Sequence, residues 1–189
     1  MGKRKSLLEK IYEQNPENGN YIIELSLVNY ADIFNEWDHA PMRRKDIDPD
    51  LLRFLDDSID DIPMKHNIDI CCYFSDQERN VEREKQIASW FRTFYLFYIE
   101  LEKKKIRRMI RKALICLVIA AVFFVLSYMG GLYVHNSMLL YILSDVVIIG
   151  GWVFLWEAIT FLTFERSSIH QLIRNYRRLA DADLSFRYK

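Results

Sequence analysis

Asp145 and Glu157 are the only acids in Met138–Phe164, a 27-residue stretch that is otherwise apolar, small or hydroxylated. A carboxylate is costly at the centre of a bilayer, so an intramembrane acid faces protein or a water-filled path. Setting Asp145 at 0° and turning about 100° per residue puts Thr163 near 0°, Thr160 near 60° and Glu157 near 120°. Asp145, Glu157, Thr160 and Thr163 therefore predict a polar stripe on one helix, the pattern of a pore lining. Rings of acids select cations. In the plainer alternative the two acids sit near opposite membrane interfaces, where ionisation costs little; Glu157 is seven residues from Phe164.

A second chemistry-bearing cluster is basic. Arg43-Arg44-Lys45 is the only basic triplet between residues 6 and 102, and Phe34, Trp37 and His39 lie close by in sequence. Cations beside aromatic rings suit phosphates and stacked bases, as in single-strand nucleic-acid binding. Arg43, Arg44 and Lys45 are the candidate phosphate ligands, and Trp37 or Phe34 the candidate stacking ring. A solvated loop offsetting Asp38, Asp46 and Asp48 is the competing reading. Lys3-Arg4-Lys5 is a second candidate patch.

Catalytic and metal motifs are missing. The chain has no P-loop, GxGxxG, GxSxG or HExxH pattern, and His39, His66, His135 and His170 are scattered. Asp46, Asp48 and Asp50 imitate the start of a calcium loop, but Leu51 stands where glycine is needed and Asp57 where glutamate is usual. No enzyme activity, catalytic residue, metal or cofactor is expected. Cys71 and Cys72 read as strand residues and Cys116 as part of an apolar helix, with no zinc spacing among them.

These clusters need elements to hold them. Residues 113–134 form 22 positions without a charge, about 33 Å as a helix and enough for a hydrocarbon core. Residues 138–164 form a second span, and His135-Asn136-Ser137 make the connector of a tight hairpin. Lys103, Lys104, Lys105, Arg107, Arg108, Arg111 and Lys112 precede the first span. Arg166, Arg174, Arg177 and Arg178 follow the second, and the connector has no Lys or Arg. The positive-inside rule then puts both termini in the cytoplasm. The basic cluster also suits anionic lipid headgroups. Residues 1–100 carry 13 basic and 20 acidic side chains, and residues 101–189 carry 13 and 6. That polarity, with its apolar blocks, excludes a disordered chain and a disulfide scaffold.

The remainder predicts an α+β domain. Tyr21–Val28 and Asn67–Phe74 alternate as strands, and Leu184–Tyr188 is a possible third. Asp48 and Pro49 open a helix that Pro63 ends. Ser75 and Glu78 form a capping-box pattern, and no Pro or Gly interrupts Asp76–Lys112, so one long helix of about 55 Å is expected to lead into the first span. Ile169, Leu172, Ile173, Tyr176 and Leu179 mark a further amphipathic helix, expected to pack on the aromatic face of the first. The expected divisions are a two- or three-stranded α+β domain over 1–75, a stalk over 76–112, the hairpin over 113–164, and a helix and short strand over 165–189. Two spans cannot enclose a conduction path, so a pore requires a homo-oligomer, cyclic by symmetry.

The fifteen residues from Phe34 to Asp48 (FNEWDHAPMRRKDID) resemble a motif of bacterial proteins that carry a small cytoplasmic domain before a membrane hairpin. The whole layout resembles the Hailong protein B family of anti-phage membrane effectors. That resemblance implies an inner-membrane ion channel with a cytoplasmic crown. It further implies a ligand of single-stranded DNA made by a partner nucleotidyltransferase, held by the crown and keeping the channel inactive. A membrane-anchored scaffold without conduction is the alternative.

Overall fold

The computed structural model describes residues 8–133 and 138–188; the side chains of Arg43 and of residues 132–133, 138, 140–141 and 164–167 lie outside that description. Lys3-Arg4-Lys5 and the connector His135-Asn136-Ser137 fall outside the described residues. The chain divides into two compact units, one of residues 1–100 with 173–189 and one of residues 101–172.

The first unit is built on a small mixed sheet. Its strands are β1 (Glu13–Gln14), β2 (Tyr21–Leu27), β3 (Ile68–Phe74) and β4 (Asp183–Tyr188), ordered β1-β2-β3-β4. β1 is antiparallel to β2, while β2, β3 and β4 run parallel. The expected two or three strands are therefore joined by a fourth of only two residues. It is too short to carry an alternation, and it forms because the turn after it, clasped by Asn15 N–H to Asn20 O at 2.8 Å, folds it onto β2.

Register explains the core. Ile23 pairs with Ile70 and Ile70 with Leu184; Leu25 pairs with Cys72 and Cys72 with Phe186. These side chains share one face, because side chains alternate across a strand. Ile23 and Ile70 are fully buried, each contributing about 1.5–3 kcal/mol by leaving water. On the opposite face Glu24, Tyr73 and Arg187 form a ladder: Tyr73 Oη donates to Glu24 at 2.8 Å and Arg187 donates to Tyr73 Oη at 3.0 Å. Asp69 shares that face and accepts from the side-chain amides of Asn15 (2.6 Å), Asn18 (3.0 Å) and Asn20 (2.8 Å).

Helices cover the core face. α1 (Leu8–Ile11) is a single turn, and α2 (Pro49–Asp61) starts as expected. Asp48 Oδ1 accepts from the backbone of Asp50 at 3.0 Å and of Leu51 at 3.1 Å, and Pro49 sits at the first helical position. α3 (Val81–Tyr133) buries Ile87, Trp90, Phe91 and Tyr95 in this unit. It begins later than the Ser75–Glu78 pattern predicts. The N–H groups of Ser75 and Asp76 are bonded to Leu27 O and Val28 O, which prolongs the β2–β3 ladder and keeps them extended. Asn80 is the actual cap, its Oδ1 accepting from Arg83 N–H at 3.0 Å. α5 (Arg166–Ala180) buries Ile173, Tyr176 and Leu179, and Tyr176 meets Tyr95 at 5.6 Å between ring centres. Tyr188 of β4 donates to Glu84 of α3 at 2.5 Å.

The second unit pairs α3 with α4 (Met138–Thr160). α4 passes through a wide π-helical turn, Phe161–Glu165, into α5. Both helical runs are long and apolar enough to cross a membrane. Within residues 113–131 and 142–160 the buried positions are small residues recurring every seventh place: Ala113, Ala120 and Ser127 on α3, Gly151 and Ala158 on α4. Small residues let helix backbones approach closely in lipid, and a seven-residue repeat gives a left-handed seam.

Candidate nucleic-acid interface and membrane hairpin

Phe34–Asp48 is a closed loop. Phe34 and Ile47 form an antiparallel bridge at its neck, and Asn35 N–H donates to Asp46 O at 3.0 Å. Asp38 clasps the interior, accepting from the backbone of Ala40 at 2.8 Å and of Asp46 at 2.7 Å. Those two backbone donors hold the Asp38 carboxyl below its usual range. The fifteen-residue motif therefore has a structural task of its own.

α3 supports the loop from beneath. Trp90 Nε1 donates to Lys45 O at 3.1 Å, and the rings of Phe34 and Trp90 meet edge-on at 4.6 Å. Lys45 Nζ stands 5.2 Å from the Phe34 ring centre, a cation–π contact. A cleft of about 340 Å³ opens beside it, lined by Arg44 and Lys45 from the loop and by Trp90, Phe94, Phe97 and Tyr98 from α3. Asp46 also faces this cleft, and burial followed by the Asp46 and Asp56 carboxylates raises the Tyr98 phenol. The cleft can take a planar aromatic group with an anion beside it. A second cleft of about 580 Å³ lies on the Pro41–Met42 side of Trp90, with Lys85 and Gln86 on its wall.

The five sequence candidates separate here. Arg44 and Lys45 meet in one cleft. Arg43 lies in the 3₁₀ turn Met42–Arg44, with its side chain outside the described residues. Trp37 is 90% exposed on the loop and does not line the cleft. Phe34 must be withdrawn as a stacking residue: it is 2% exposed, its ring held between Trp90 and Lys45. Phe97, 58% exposed and lining the cleft, offers a ring in its place. Its signal was the seven-residue spacing from Trp90, which puts both rings on one helix face.

In the hairpin, Gly150 and Gly151 meet Phe123 and Phe124 of α3. A β-carbon on either glycine would lie 2.7 Å from a ring carbon, so only glycine admits these rings. Ser127 Oγ donates to Ser144 O at 3.0 Å across the seam. Asp145 and Glu157 are exposed, among outward Ile142, Val146, Ile149, Val153 and Trp156. Thr160 and Thr163 are also exposed, and each donates to the carbonyl four residues back, Trp156 O at 3.0 Å and Ile159 O at 2.7 Å. The expected azimuth of Thr163 needs correction. The π-helical turn Phe161–Glu165 adds backbone per turn, so a uniform step of about 100° fails beyond Thr160. Asp145, Glu157 and Thr160 keep their ideal spacing within α4.

Among the described residues no group of His, Cys, Asp and Glu is arranged to hold a metal. No family model, curated protein or solved structure matches the chain.

Proposed function

We propose that this chain is a homo-oligomeric membrane channel whose α+β unit binds a single-stranded oligonucleotide and thereby controls the pore. The membrane is the bacterial inner membrane, with both termini in the cytoplasm and a role in anti-phage defence. The observation that carries the reading is Asp145, a carboxylate presented outward from an apolar hairpin. In lipid such a group costs about 2.5–3.5 kcal/mol. The cost is avoided when it faces water inside a ring of copies, and two spans enclose water only when several copies assemble. Glu157 and Thr160 extend the same path, with Thr163 at its cytoplasmic end.

The ligand reading rests on the cleft beside the loop. Arg44 and Lys45 hold phosphates there, Arg43 adds a third basic residue in the same triplet, and Phe97 or the exposed Trp37 stacks a base. A ring of copies multiplies this patch around one axis.

Purified protein reconstituted into planar bilayers tests the channel. A cation current in the wild type that falls in Asp145→Asn and Glu157→Gln is the expected result. A silent bilayer at every ligand concentration, with protein that migrates as a single copy in detergent, would instead leave a membrane-anchored scaffold. For the ligand, the wild type should carry material absorbing at 260 nm, and Arg44→Ala/Lys45→Ala should release it at low salt.

A further inference from the structure

Four of the seven basic residues before the first apolar stretch share one face of α3. With Lys104 at 0°, Arg107, Arg108 and Arg111 fall within an arc of about 100°, and the buried Glu102 and Ala113 lie roughly opposite. Lys104, Arg107, Arg108 and Arg111 are all exposed. Lys105 pairs with Glu102; Lys104, Arg107, Arg108 and Arg111 make no ion pair among the described residues. They stand three and four residues apart, so Lys104–Arg108 and Arg107–Arg111 are neighbouring like charges that repel. These exposed cations make a positive face directly before the apolar stretch that begins at Ala113. An anionic surface presenting several negative oxygens along two helical turns at that level complements it.

We propose that Lys104, Arg107, Arg108 and Arg111 form a binding face for acidic phospholipid headgroups. The inference rests on the reading that residues 113–160 enter a membrane. Guanidinium groups bind phosphate oxygens in pairs, and the three arginines supply that geometry. The adjoining apolar helix, with Leu114, Ile115 and Val118 exposed, receives the acyl chains. A soluble phosphate satisfies the cations but leaves that apolar surface uncovered, so lipid is the better fit.

Native mass spectrometry of the detergent-extracted full chain tests this, with phosphatidylglycerol, phosphatidylcholine and glycerol 3-phosphate as probes. Phosphatidylglycerol should be retained in preference to phosphatidylcholine. Arg107→Gln and Arg108→Gln should each lower that retention by about fivefold, with Lys65→Gln unchanged. Two single variants with a wild-type melting profile separate lost binding from lost folding. Equal retention of the two lipids, or equal retention by both variants, overturns the proposal and leaves the cations as determinants of orientation alone. Competition by millimolar glycerol 3-phosphate equal to that of the lipid overturns it in favour of a free phosphate. Wild-type protein that stays in the aqueous fraction after lysis and ultracentrifugation overturns the membrane reading itself, a result distinct from the others.

Discussion

Phe123 lies so close to Gly150 that a single added methyl group on the glycine would sit 2.7 Å from its ring. Phe124 stands in the same relation to Gly151, so two adjacent rings of α3 rest on two adjacent glycines of α4. Gly150→Ala must push a ring away or part the helices. Overpacking of this kind costs about 1–3 kcal/mol. The variant should melt earlier in detergent, followed by tryptophan fluorescence from Trp152 and Trp156. Phe123→Leu in the same chain should restore part of the loss. An unchanged melting curve in Gly150→Ala would mean the seam is looser than this packing requires.

Asp69 should be the residue through which acid weakens the α+β unit. Burial pushes its carboxyl up, but the three asparagine amides together pull it below the usual carboxylate range. A depressed carboxyl contributes stability above its unfolded value, about 3.9, and loses it as pH falls through the lower folded value. Asp69→Asn sets an amide against three amide donors and should cost about 1–3 kcal/mol at pH 7. Chemical denaturation at pH 7 and pH 3 should show that the variant loses less than the wild type between the two.

Asp56 carries the opposite sign. Burial first, then the neighbouring Asp60 and Asp57, push it up to about 6. Its Oδ1 is buried without a hydrogen-bond partner, as is the hydroxyl of Tyr95. A raised carboxyl favours the folded state when protonated, so stability from this group declines as pH rises from about 4 to about 6 and stays lower above that. Asp56→Asn should raise stability at pH 7 by about 1 kcal/mol after allowance for solvent screening, and flatten the profile between pH 4 and 6. A variant that is less stable at pH 7 would assign Asp56 a favourable ionic role instead.

Trp37 and Phe34 should behave as opposites. Phe34→Ala removes a buried ring and should cost about 3–5 kcal/mol. Trp37→Ala, at an exposed position, should stay within about 0.5 kcal/mol of wild type in denaturation. If Trp37 stacks a base, its removal should weaken oligonucleotide binding by about 1–3 kcal/mol in fluorescence anisotropy. Unaltered binding would pass the stacking role to Phe97.

Much of the fold was legible because hydrophobic period and capping are local. Asp48 and Pro49 announced α2, and alternation announced β2, β3 and β4. What escaped depended on distant partners. Ser75 looks like a cap until Leu27 takes its N–H. β1 is two residues held by a turn, and the π-helical turn after Thr160 leaves no mark in composition. At the candidate site the basic triplet was visible, yet only the packing of Trp90 decides that Phe34 is core and Phe97 is surface.

Order of synthesis gives the sheet a timetable. β4 is translated after both apolar helices, yet it must pair with β3, made before either. Until then one side of β3 has no neighbour and its ladder of N–H and C=O groups stays open. The α+β unit thus matures only once the ribosome has passed the hairpin. A chain stalled between the two events exposes a raw strand edge, the kind of surface that chaperones hold and proteases sample.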